Sequence, residues 1–168
     1  SPINYYGKTK LEADNLLMGS NSRYLIIRPN VLYSEEGVGS NQPSRHFLSW
    51  IINSLSRGEK INVVNDQISN PTYISDLVDI IITSILVDYT GVCHYGSEDV
   101  LSRYDFAVKV CDVFGLNSNK IIPIASSDLN QIADRPKKTY LNCGKVAADL
   151  NIELYPLDYS LNRIKSSL

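Results

Sequence analysis

Much that would commit a protein to a membrane, a metal or a nucleic acid is missing from these 168 residues. No apolar run approaches the roughly 18 residues that a spanning helix needs, and no signal-peptide or lipidation pattern is seen. Histidine is scarce, with only His46 and His94, and the three cysteines, Cys93, Cys111 and Cys143, are far apart. Ligand spacing for zinc is lacking, so no metal site is expected and the thiols read as buried or inert. An odd set of separated thiols suits a reducing compartment, and a soluble, cytoplasmic protein is expected. Charge of one sign is lacking too: the net charge is −2 and no basic cluster exceeds Lys137-Lys138. Neither nucleic acid nor an anionic membrane is therefore expected as a partner. Repeats and heptads are absent, and so is a strand followed by a glycine-rich turn into a helix, the dinucleotide fingerprint.

What is present is an ordinary globular composition, 43% hydrophobic and 20% charged, enough for one domain with a core. Ser1-Pro2 leads into a helix over about residues 4 to 18, with Ala13, Leu16 and Leu17 on an apolar stripe and Gly19 as its stop. Tyr24 to Arg28, ended by Pro29, reads as a strand buried on both faces. Residues 34 to 43, with Gly37, Gly39, Asn41 and Pro43, form a loop at that strand's carboxyl end, where open α/β sheets bind ligands. Ser44 is expected to begin a helix carrying Phe47, Leu48, Ile51, Ile52 and Leu55 as far as Gly58, with Trp50 packed in the core or an interface.

A strand at Ile61 to Val64, a polar loop and an extended Pro71 to Ile74 follow. Asp76 is expected to cap a helix from Leu77 to about Val87, so apolar around its circumference that it should be a core helix. Further on come a strand at Gly91 to Tyr95, a capping-box-like start at Ser102 to Asp105 for a helix ending at Gly115, and a strand at Ile121 to Ile124. Ser126 to Asp128 could cap a short helix, and two more short helices are expected near Lys145 to Leu150 and Leu157 to Ile164. The rhythm is α/β throughout.

Within the first helix, Tyr6 and Lys10 are four residues apart and share a face. A cation beside a phenol favours phenolate, which moves a tyrosine toward the range of a proton-transferring catalyst. Eleven tyrosines and nine lysines give about 0.6 such spacings by chance. A solvated surface helix bearing Lys8, Lys10, Glu12 and Asp14 is the alternative.

Five patterns then occur in order: Tyr6-Gly7 with Thr9-Lys10; Ile26-Ile27-Arg28 running into Pro29-Asn30-Val31-Leu32-Tyr33; Val63-Val64 with Asp66-Gln67, Pro71-Thr72-Tyr73 and Asp76-Leu77; His94-Tyr95-Gly96 with Ser102 and Tyr104 to Ala107; and Ala133-Asp134-Arg135-Pro136. Over nearly the whole chain they resemble the carboxyl-terminal half of extended short-chain dehydrogenases/reductases, within the NAD-dependent epimerase/dehydratase superfamily. The nearest branch is the dTDP-4-dehydrorhamnose reductase-like group.

The resemblance implies an α/β fold: the carboxyl-terminal portion of an NAD(P)-binding, Rossmann-type doubly wound fold plus a small α/β substrate-binding region. Residues 1–33 and about 61–95 would be the remnant of the Rossmann sheet and helices mixed with substrate-binding segments, and about 96–168 mainly the substrate-binding region. Tyr6 would be the catalytic acid/base, and Lys10 would hold the nicotinamide ribose of NADP or NAD. Pro29 and Asn30 would pass beneath the nicotinamide, with Asn30, Gln67 and Arg135 toward a nucleotide-sugar substrate. Pro29 ending a strand, Asn30 capping a turn and Arg135 exposed before a proline are the plainer alternatives.

The family's glycine-rich loop and catalytic Ser/Thr precede the tyrosine helix and have no counterpart in these residues. The chain is therefore expected to be part of a longer reductase, inactive by itself, acting as a homodimer or with the missing half. Net reduction of a 4-keto sugar nucleotide is the leading expectation. An epimerase or dehydratase, or a non-catalytic regulatory subunit, remains open.

Overall fold

A computed structural model describes residues 1–40, 46–129 and 131–168, so Asn41, Pro43 and the expected helix start at Ser44 lie outside the described residues. In chain order the elements are α1 (Tyr5–Met18), β1 (Leu25–Pro29), β2 (Leu32–Tyr33), α2 (Phe47–Ser56), β3 (Ile61–Val64), β4 (Ile68–Ser69) and β5 (Thr72–Tyr73). Then come α3 (Ile74–Leu86), β6 (Gly91–Tyr95), β7 (Leu101–Ser102), α4 (Arg103–Phe114), β8 (Ile121–Ile124), α5 (Gly144–Leu150) and α6 (Leu157–Ser167). Single 3₁₀ turns span Ser118–Lys120 and Ser126–Asp128.

The strands pair two by two. β1 runs parallel to β6, β2 to β5 and β3 to β8, with helices in the connections as parallel pairing requires. β4 and β7 are antiparallel. Local signals set the helix ends. Ser102 accepts a hydrogen bond from the Asp105 amide at 3.0 Å while the Asp105 carboxylate accepts one from the Ser102 amide at 3.1 Å, a reciprocal capping box. Gly115 closes α4 at a φ of 71°, a conformation open to glycine at little cost.

The larger core lies between α2, α4, α6 and the β3–β8 pair, with Leu48, Ile51, Val110, Leu157, Leu161 and Ile164 fully buried. Cys111 packs there, as its place on the α4 stripe predicts. Trp50 is half-buried and stacks on Phe47 with ring centroids 5.7 Å apart. A smaller core joins Ile80, Cys93, Tyr95, Cys143, Val146 and Leu150, between β6, α3 and α5. All three cysteines are buried, free thiols, and burial pushes the Cys111 thiol up to about 11.

Several expectations are corrected. The β1 strand is not buried on both faces: only Ile26 is buried, because β1 has a single strand neighbour, β6, among the described residues. α3 is not a core helix throughout; Ile80 alone of its apolar side chains is buried, while Val78, Ile82, Ile85 and Leu86 are exposed. Asp76 does not cap α3. It lies in the first turn after the Tyr73 cap, and its buried carboxylate accepts from Ser160 at 3.1 Å and pairs with Arg163, tying α3 to α6. The apolar stripe expected on α1 is not buried: Leu16 and Leu17 are exposed, and the helix has no buried residue.

Candidate active-site cleft

α1 is held by polar ties rather than by apolar burial. At its start, Asn4 accepts from the Gly7 amide at 2.8 Å and donates its own amide to the Asp134 carbonyl at 2.8 Å. Farther along, Asp14 accepts from the Arg28 guanidinium at 2.6 and 2.8 Å, locking α1 onto β1. Tyr6 is thereby set on an anchored first turn and is 70% exposed. The Lys10 ammonium lies 5.6 Å from the centroid of that ring. Among the described residues neither the Tyr6 hydroxyl nor the Lys10 ammonium makes a hydrogen bond, so both are open to a ligand.

Beside Tyr6 opens a cleft of about 770 Å³, bounded by the start of α1, the β1–β2 corner, β4, the start of α4 and the segment 133–139. Tyr6, Pro29, Asn30, Gln67 and Arg135 all line it; Lys10, one turn along α1, does not. A smaller hollow along α1, lined by Lys8, Leu11 and Glu12 among others, holds none of the expected site residues.

The corner after β1 is strained. Val31 has a φ of 38°, unfavourable for a β-branched residue, and is pinned by the Thr72 amide donating to its carbonyl at 3.0 Å. Thr72 also accepts from the Asn30 amide at 3.2 Å. The Asn30 side chain donates to the Thr139 carbonyl at 2.5 Å and reaches the Thr139 hydroxyl at 3.3 Å. Its amide nitrogen is thus committed to the protein, and the side-chain oxygen is what it has left for a ligand.

The segment 133–139 is strapped across the cleft. Ile68 donates to the Lys137 carbonyl at 2.7 Å, Thr139 donates back to the Ile68 carbonyl at 2.9 Å, and Asn4 and Asn30 hold its two sides. Lys137 pairs with Asp66 at 2.9 Å, and Asp66 also accepts from the Ser126 amide at 2.9 Å and from its hydroxyl. The Ser126 hydrogen bonds first, and Lys137 second, hold the Asp66 carboxyl down at about 2. Arg135 rides on this strap, exposed at the cleft edge.

Arg103 carries no motif in the sequence, yet it lines the cleft. Its guanidinium sits 5.1 Å from the Phe47 ring centroid and donates through Nε to Gln67 Oε1 at 3.2 Å. Gln67 itself is buried, and its side chain accepts from Arg103 and donates to the Ser126 hydroxyl at 3.4 Å. Burial, and then the charge of Arg135, hold the Arg103 guanidinium below its ordinary pKa. A sequence signal existed. Arg103 follows the capping Ser102 directly, so its charge opposes the positive end of the α4 dipole.

Against known proteins, residues 1–168 match the RmlD substrate binding domain. A dTDP-4-dehydrorhamnose reductase of Aggregatibacter actinomycetemcomitans is 26% identical over 98% of this chain and 58% of its own length. The methionine adenosyltransferase 2 subunit beta of Danio rerio is 24% identical over 100% of this chain and 52% of its own. The chain thus spans about half the length of the curated relatives it matches. The crystal structure of a dTDP-4-dehydrorhamnose reductase from Bacillus anthracis str. Ames, in complex with NADP, superposes with a TM-score of 0.88 at 24% identity, covering 100% of this chain and 57% of that one. That likeness carries the Rossmann-like α/β fold, helices with parallel strands, over to this molecule. With every residue from 1 to 168 inside the match, the chain belongs to the RmlD substrate binding domain family.

Proposed function

We propose that this chain supplies the tyrosine helix and the substrate-binding part of an NAD(P)H-dependent reductase acting on a 4-keto sugar nucleotide. The observation that carries the reading is the single cleft in which Tyr6 meets Pro29, Asn30, Gln67 and Arg135, residues drawn from four separate stretches of chain. A glycine-rich dinucleotide-binding half, in the same polypeptide or as a second chain, completes the site. The exposed apolar side chains Leu16, Leu17 and Met18 of α1 and Ile82, Ile85 and Leu86 of α3 support such a covering partner. Residues 1–33 and about 61–95 belong with the cofactor sheet in this reading, and about 96–168 mainly with the substrate.

The residues present fit NADP or NAD at one edge. The Tyr6 hydroxyl and the Lys10 ammonium are accessible and uncommitted among the described residues, and Pro29 and Asn30 form the adjoining wall. When bound, the nicotinamide supplies the hydride. Tyr6 donates its proton to the sugar carbonyl oxygen as negative charge develops there. Lys10 bonds the ribose and favours the phenolate left behind. The strap bearing Arg135 closes over the substrate and limits water in the cleft. A cytoplasmic location suits the buried free thiols.

The test is to combine the chain with its dinucleotide-binding half, add NADPH and a dTDP-4-keto sugar, and follow absorbance at the nicotinamide band. Net loss is expected, and Tyr6→Phe lowers kcat by about 10²- to 10⁴-fold with folding intact. No loss of absorbance, but isomerisation or dehydration of the sugar, would mean an epimerase or dehydratase. A second reading is favoured by the relative named as a methionine adenosyltransferase subunit: a regulatory subunit. Turnover unchanged in Tyr6→Phe would remove Tyr6 from the proton step, and no turnover of any nucleotide sugar by the completed protein would favour the regulatory subunit.

A further inference from the structure

We propose that Arg103, from the start of α4, and Arg135, from the strap, are the two arms of one diphosphate site. The inference rests on the nucleotide-sugar reading and adds to it a residue and a charge requirement. Arg103 is half-buried, its guanidinium lies over the Phe47 ring, and among the described residues no carboxylate pairs with it. A cation withdrawn from water without a counter-ion is costly, and the protein groups around it add to the cost. Arg135 repels it across the cleft, and the α4 dipole presents its positive end at the same place.

Nothing in helix stability calls for this arrangement. Yet the fold keeps it in place with three contacts. Gln67 Oε1 accepts from Nε, the Gln67 carbonyl accepts from the Arg103 amide at 3.2 Å, and the guanidinium lies over the Phe47 ring. With Nε committed, the two Nη groups are the donors left for a ligand. Two guanidinium groups from separate segments match an anion with charge on two linked centres better than one with a single centre. A diphosphate has that form, and a fork of N–H donors suits its oxygens.

The experiment titrates the chain with inorganic pyrophosphate and with orthophosphate at low ionic strength, by calorimetry, and follows near-ultraviolet circular dichroism for folding. Pyrophosphate is expected to bind at least about tenfold tighter than orthophosphate, with an affinity that falls as salt is added. Arg103→Gln, which keeps most of the stem over Phe47, should weaken pyrophosphate by roughly 10- to 100-fold and flatten the salt dependence. Arg103→Lys should recover only part of the loss, because lysine lacks the planar fork. Lys60→Ala, at an exposed site outside the cleft, should bind as the parent does.

Unchanged pyrophosphate affinity in a folded Arg103→Gln protein overturns the proposal and leaves Arg103 as a packing residue. Equal affinity for orthophosphate and pyrophosphate overturns the diphosphate assignment. Pyrophosphate binding that depends on Arg103, without NADPH consumption by the completed enzyme, would sink the reductase reading and keep this site. Turnover of a nucleotide sugar unaffected by Arg103→Gln would sink the site and keep the reductase.

Discussion

α2, α4 and α6 bury Leu48, Ile51, Val110, Leu161 and Ile164 completely, whereas α1 buries no residue and α3 buries only Ile80 of its apolar side chains. The first group surrounds a core of its own, with the β3–β8 pair at its centre. The second flanks a pair of strands, β1 and β6, that has no further strand beside it among the described residues. In compensation, α1 is pinned by charge and hydrogen bonds, through Asp14 to Arg28 and Asn4 to Asp134. An apolar helix, then, states only that something covers it. Whether the cover lies in the same stretch of chain is a separate matter.

A pair of truncations puts the contrast between the two groups of helices at greatest risk. Leu161→Ala in the closed core should cost about 4 kcal/mol, since it removes apolar contacts and leaves a cavity. Ile82→Ala on the bare face of α3 should change the stability of the chain alone by less than about 0.5 kcal/mol. Denaturant unfolding measures both, and similar losses would show that α3 is covered in solution. Once a dinucleotide-binding partner is added, Ile82→Ala should gain a cost that it lacks without one.

Asp76→Asn comes next. It leaves the Arg163 guanidinium, which also lies over the Tyr73 ring at 5.4 Å, without its buried counter-charge. The expected loss is about 3 kcal/mol by denaturant unfolding, with Asp76→Asn/Arg163→Met recovering part of it. Smaller again is the tie on α1. A double-mutant cycle over Asp14→Asn and Arg28→Gln should give a coupling of about 1 kcal/mol, larger at low salt. A coupling of zero would mean that the Asp14–Arg28 pair does not hold α1 to β1 in solution.

The smallest effect is at low pH. Asp66 has a folded value of about 2, below the ordinary 3.8, so its stabilisation is fully present above about pH 4 and is lost as pH falls toward 2. The stability difference between the parent and Asp66→Asn should therefore shrink across that window. A difference that stays constant down to pH 2 would mean that the Ser126 and Lys137 contacts do not hold Asp66 in solution.

Short-range features are legible in the sequence. Gly19 and Gly115 end helices, Ser102 and Asp105 start one, and Ile61–Val64, Gly91–Tyr95 and Ile121–Ile124 are strands, because a cap or an alternation is decided within a few residues. Asp76 misleads for the opposite reason. A carboxylate near a helix start reads as a cap, and only the return of α6, 84 to 87 residues later, supplies the Ser160 and Arg163 that take it. Arg103 is half legible: a cation just after a capping serine stands out in the sequence, but its partner Gln67 is 36 residues away and only the fold brings the two together.

The order of helices and strands, their caps, and the residue types able to move a proton or meet an anion are written in the chain itself, since these depend on local dihedral preference and side-chain chemistry. Which of those residues share a cleft is a property of the folded molecule. Folding drew Tyr6, Asn30, Gln67, Arg103 and Arg135 to one place, left Lys10 a turn away, and kept one face of α1 and α3 bare. Those outcomes follow from long-range hydrogen bonds and from how many strands flank β1 and β6, and no local pattern encodes either.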